Sequence, residues 1–125
     1  MGKGSTNRRK GHNLERRLVN AFKKLGYNFC KTSRAASRLL DDSKVDLWGI
    51  PYNVQAKKGY LKGLNYTAIF DQMNIALGEN FPPEDKQLTY PSVIIHDKGR
   101  KKQDKLVIIQ EEDFFNLVKK IKEND

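Results

Sequence analysis

The stretch that most constrains the fold runs from Val45 to Lys58, VDLWGIPYNVQAKK. Gly49-Ile50-Pro51 interrupts two short β-prone runs, so the segment reads as two strands, Val45 to Trp48 and Tyr52 to Lys57, joined as a hairpin. Side chains alternate across a strand. Gln55 and Lys57 therefore share a face, while Val54 and Ala56 point the other way. Asp46 stands on the first strand. An acid, an amide and a lysine on one side of a hairpin can hold a divalent metal and a phosphate together.

The segments around this hairpin supply a modest α/β domain. From Asn13 to Leu25 the pattern is helical: Leu14, Leu18, Val19, Ala21, Phe22 and Leu25 fall in one arc, with Arg16, Arg17, Asn20, Lys23 and Lys24 opposite. Glu15 falls inside the apolar arc, where a carboxylate is costly unless something charged or hydrogen-bonding meets it. It is read as a site residue, as a helix-start glutamate favoured by the macrodipole and fraying into solvent, or as one paired to a core-edge arginine. Gly26 closes the helix. Tyr27 to Ser33 alternates and reads as a strand, with Tyr27 and Phe29 on one face and Cys30 as a small buried side chain. Arg34 to Lys44 is a loop or a short helical turn.

Beyond the hairpin, Gly59 to Asn65 is a flexible connection. Tyr66, Ile69, Phe70, Met73, Ala76 and Leu77 then mark a second amphipathic helix ending near Gly78. Glu79 to Pro91, with Pro82, Pro83 and Pro91, is a surface loop. SVIIHD (residues 92–97) and KLVIIQ (residues 105–110) are apolar strands, and KGRKKQD between them is a very basic hairpin tip. His96 reads as a satisfied or surface histidine. Glu111, Glu112 and Asp113 open a last helix, whose buried face is Phe114, Phe115, Leu117, Val118 and Ile121. The element order is α-β-β-β-α-β-β-α, with a basic arm over residues 1–12 and a single domain over 13–125.

Charge narrows the partners. The chain of 125 residues carries a formal net charge of +9, which favours polyanions. No apolar run approaches the roughly 18 residues of a membrane span, and the N-terminus lacks the apolar segment of a secretory signal. One cysteine rules out an internal disulfide framework and a Cys-based zinc site, and it fits a reducing, cytoplasmic setting.

Phosphodiester hydrolysis needs a divalent ion on the scissile phosphate, positive charge to meet the developing charge, and an oriented nucleophile. Magnesium prefers hard oxygen ligands and keeps several waters, so one or two carboxylates suffice. Asp46 offers a carboxylate, Gln55 an amide oxygen and Ala56 its backbone carbonyl. Lys57 would orient water or neutralise phosphate, and Glu15 would complete the site from the first helix. Asp46, Gln55 and Lys57 in VDLWGIPYNVQAKK resemble the motif of the PD-(D/E)-x-K nuclease superfamily: an acid at a strand end, a gap, then acid-x-Lys on the next strand. Within it, the chain is similar to archaeal-type and phage Holliday-junction resolvases. RRKGHNLERRLV matches their basic entry followed by an inward glutamate, and KTSRAASRLLDDSKVD their Arg/Ser loop before the aspartate. The likeness covers about residues 8 to 58.

The resemblance implies a restriction-endonuclease-like core with a mixed central sheet flanked by helices. It implies Mg²⁺-dependent cleavage, with Mn²⁺ as a substitute, and a homodimer on branched DNA, serving recombination and repair in a prokaryote or phage. Arg8, Arg9, Lys10, Ser33, Arg34, Arg38 and Lys58 are the expected DNA contacts. Two departures stand out: Gln55 replaces the usual second acid, removing one negative charge from the site, and Lys44-Val45 stands where the family has a proline before Asp46. Asp41 or Asp42 would compensate if their loop folds over the site.

Overall fold

The computed structural model describes residues 3–125, with side chains from Arg8 onward. Five strands and five α-helices follow one another as α1 (Lys3–Lys24), β1 (Lys31–Thr32), α2 (Ser33–Ala36), α3 (Arg38–Asp42), β2 (Leu47–Trp48), β3 (Asn53–Lys58), α4 (Tyr66–Asn80), β4 (Ser92–Asp97), β5 (Lys105–Ile109) and α5 (Glu111–Glu123). The expected order of major elements is present, with two short helices filling the Arg/Ser segment. The strands form two sheets: antiparallel β1-β2, and a mixed β3-β4-β5 sheet in which β3 and β4 are parallel and β4 and β5 antiparallel.

Alternation along β3 and β4 divides the core into two layers. Val54 and Val93 pack with Leu14, Leu18 and Val19 of α1 on one face. Ile94 packs with Val45 and with Ile69, Phe70, Met73 and Leu77 of α4 on the other. At roughly 25 cal/mol per Å² of apolar surface, each fully buried Leu, Ile or Met contributes about 1.5–3 kcal/mol. The Met73 and aromatic stripe is thus core, as its spacing indicates. Cys30 is fully buried.

Several expectations give way. Of the arm read over residues 1–12, Met1 and Gly2 lie outside the described residues; from Lys3 the backbone is already α1. Gly4 and Gly11 each cost about 1 kcal/mol in a helix but do not break it. The strand over Tyr27–Ser33 shrinks to Lys31–Thr32. Gly26, at φ +106°, ends α1 in a Schellman motif: Tyr27 N donates to Phe22 O at 3.0 Å and Gly26 N to Lys23 O at 3.0 Å. That turn consumes the aromatic run, leaving Phe29 77% exposed. The segments around Gly49 are not a ladder-paired hairpin, because β2 pairs with β1 and β3 with β4. Gly49, at φ +89°, crosses so close to Phe29 that a Cβ would lie 2.9 Å from its carbonyl oxygen. This proximity draws β2 onto β1. Gly78 does not stop α4, which continues to Asn80 before Pro82 and Pro83.

The largest departure is α5. None of its residues is buried, and Phe114, Phe115, Val118 and Ile121 are exposed. The reason is geometric: α1 and α4 already cover both faces of the sheet, and Ile109 and Ile108 of β5 complete those layers.

Candidate functional site

β3 is the edge strand of its sheet, and the site lies along its open side. Asp46, just before β2, is drawn there by two bonds. Its amide donates to Val54 O at 2.7 Å, and its Oδ2 accepts from Ala56 N at 2.7 Å. In an extended strand a residue's N–H and C=O project to the same edge. The Ala56 carbonyl therefore also faces the side occupied by Asp46.

Alternation places Gln55 and Lys57 on the α4 face of β3. Glu15, 8% exposed, comes from α1 on the other face. Asp46 lies between them. Burial pushes its carboxyl up to about 6; the Ala56 amide opposes this, the Glu15 carboxylate adds to it, Lys57 lowers it, and Asp41 raises it further. Of the two loop acids, Asp41 acts on Asp46, while Asp42 pairs with Arg38 at 3.8 Å. Among the described residues the Lys57 side chain makes no hydrogen bond or ion pair, and Asp46 meets no cation within ion-pair distance. The buried carboxylate is thus undercompensated. A divalent cation would relieve it, and the donor set is all oxygen, which suits Mg²⁺. No group of three His, Cys, Asp or Glu side chains is arranged for a metal among the described residues. Any ion here would rest on carboxylates supplemented by amide and backbone oxygens.

Glu15 also has a protein partner, since Arg34 Nε lies 3.5 Å from its Oε1. The core-edge arginine and the inward glutamate are therefore the same feature, and it brings Arg34 to the site. Gln55 Nε2 donates to Lys44 O at 3.0 Å, leaving the amide oxygen as its free end. Lys44 has φ +66°, a left-handed backbone that a proline could not adopt.

The expected DNA contacts separate. Arg8, Arg9 and Lys10 are exposed on α1, Arg38 is solvated, and Lys58 reaches the buried Asp97 at 3.1 Å. Ser33 does not fit that role. It is fully buried, its amide donates to Asp46 O at 2.9 Å, and its hydroxyl finds no hydrogen-bond partner among the described residues. His96 is satisfied: Nε2 donates to Gly59 O at 2.7 Å, which fixes Nδ1 as acceptor from Tyr66 OH at 2.8 Å in the neutral ring.

Sequence reasoning missed Asp97 and its cations. Arg17, Lys58 and Lys105 converge on it at 3.4, 3.1 and 3.5 Å. Burial raises this carboxyl, but Lys58 and Lys105 outweigh that and hold it below the usual range. The signal was the run of charge from Asp97 to Lys105, unusable until β4 was known to lie beside β3. No helix among the described residues is long and apolar enough to cross a membrane. No family model, curated protein or solved structure matches the chain.

Proposed function

We propose that the protein is a metal-dependent, structure-selective DNA endonuclease, a Holliday-junction resolvase on a restriction-endonuclease-like core. The observation that carries this is the undercompensated Asp46 carboxylate on the open edge of β3, with Glu15 on one side, Lys57 on the other and basic surfaces around it. Asp46, the Ala56 carbonyl and the Gln55 amide oxygen would hold Mg²⁺ or Mn²⁺, with Glu15 behind them. Bound there, the ion supplies Lewis-acid polarisation of the scissile phosphate and a more acidic water. Lys57, whose side chain has no partner among the described residues, meets phosphate charge and orients the attacking water. Arg34 offers a guanidinium to the neighbouring phosphate when it leaves or shares Glu15. Arg8, Arg9, Lys10 and Lys58 add sequence-independent phosphate contacts.

A labelled four-way junction incubated with Mg²⁺ should give paired nicks, absent in chelator. Asp46→Ala and Lys57→Ala should each lower the rate by about 100-fold or more. Unchanged cleavage in both variants refutes the site, and flap or linear DNA cut faster than the junction refutes the resolvase assignment within it. A second reading, a DNA-binding module with a failing metal site, rests on Gln55, whose amide is tied to Lys44 O. Gln55→Glu discriminates. A gain in cleavage marks a weakened nuclease, and tight junction binding without cutting marks the module.

The reading extends to a homodimer through α5. Its apolar stripe of Phe114, Phe115, Val118 and Ile121 is exposed, with Glu111, Glu112 and Asp113 in the first turn and Lys120 and Lys122 in the last. An antiparallel second copy covers the stripe and sets each acidic end against a basic end, the self-complementarity that a two-fold interface requires.

A further inference from the structure

The end of β3, the loop after it and the β4–β5 connection enclose an open basin of about 810 Å³. Six basic side chains line it: Lys10, Lys57, Lys58, Lys98, Arg100 and Lys105; no carboxylate does. Asp97, 2% exposed, lies beneath and ties down Lys58 and Lys105 together with Arg17. Lys105 is further held by Gly99 O at 2.8 Å. One buried carboxylate cannot neutralise this set. Lys10, Lys57, Lys98 and Arg100 have no ion-pair partner among the described residues. Positive charge this dense, a third of it anchored in place, is suited to a run of phosphates rather than to one.

The second observation is Tyr60. It lines the same basin, lies between Gly59 at φ +81° and Gly63 at φ +71°, and is 80% exposed. It has no aromatic neighbour among the described residues. A duplex keeps its bases stacked inside and gives such a ring only sugar and phosphate. An unpaired strand offers a phosphate track and free base faces together, the combination that single-strand grooves use.

The geometry points to a binding site for single-stranded nucleic acid, in which the basin cations track the phosphates and a base stacks on Tyr60. Because Lys57 belongs to both the basin and the candidate site, the strand leads directly to Asp46. The placement at Asp46 rests on the nuclease reading, in which the bound strand is the one unpaired where the junction opens at its branch point. The binding itself does not depend on that reading.

Anisotropy titrations in chelator, where no cleavage intervenes, test it with a labelled oligothymidylate, an abasic strand of equal length and a matched blunt duplex. The oligothymidylate should bind more tightly than the duplex. Tyr60→Ala should weaken it between about 5- and 100-fold, leave duplex and abasic strand within about twofold, and be rescued by Tyr60→Phe. The exposed position makes a folding loss easy to exclude by an unchanged Tm. Lys98→Ala with Arg100→Ala should weaken all three probes and lower the salt slope by about 0.7 for each phosphate lost on the single strand. Equal binding of strand and duplex, or a Tyr60→Ala loss shared by the abasic strand, overturns the site. A protein that shows the Tyr60 dependence but never cuts DNA upholds the basin and refutes the nuclease. One that cuts junctions without it does the reverse.

Discussion

Removing the charge of Asp46 should stabilise the metal-free protein, and only above a definite pH. Its carboxyl is raised from 3.8 to about 6 in the fold, first by burial. The native state therefore binds this proton more tightly than the unfolded chain does. The resulting penalty is absent below about pH 4, grows as pH rises through the window between 3.8 and about 6, and is constant above it. Two units at 1.36 kcal/mol each make it about 3 kcal/mol. Asp46→Asn abolishes the ionisation while keeping a side-chain oxygen that can accept from Ala56 N, the bond that is 2.7 Å in the native chain. In chelator near pH 8 the variant should be more stable by about 2–3 kcal/mol, or roughly 8–11 °C in Tm for a domain of this size. Near pH 4 the two proteins should melt together. Adding Mg²⁺ at the higher pH should raise the Tm of the native chain and leave the variant almost unmoved. A variant destabilised near pH 8, or a Tm difference of the same size at both pH values, would refute the reasoning.

Gly49→Ala should cost more than about 1 kcal/mol and lower the denaturant midpoint, since it forces a Cβ to 2.9 Å from Phe29 O at a left-handed backbone position. Phe115→Ser with Ile121→Ser, at positions 58% and 64% exposed, should shift a sedimenting dimer to monomer without lowering monomer stability. A protein that sediments as monomer before mutation rejects the α5 interface.

The parts of the fold legible in the sequence were those governed by local periodicity. The stripe from Ile69 to Leu77 and the apolar run of residues 92–97 define α4 and β4 because one face, or both, must be buried. Glu15 was conspicuous for the same reason. The hairpin around Gly49 was misjudged because the choice of strand partner is non-local: β3 is matched by Ser92–Asp97, not by its neighbour in sequence. The apolar face of α5 was misjudged because periodicity says that a face wants cover, not that this chain supplies it. The basic basin was invisible until two segments nearly 40 residues apart, joined through Lys58 and Asp97, lay side by side.

That pairing also sets the order in which the site can assemble. The stretch from Val45 to Lys58 contains the residues that would bind metal, yet it cannot arrange them alone. Ala56 meets Asp46 only when β3 is held straight, and β3 is held by β4 across a crossover that includes all of α4. Parallel pairing of this kind requires a long loop to close before any ladder bond is gained. During synthesis or refolding the motif thus exists as sequence well before it exists as a site. A nascent or truncated chain ending before Ser92 would have the full motif without an assembled centre, so competence for the proposed cleavage would come only with a nearly finished fold.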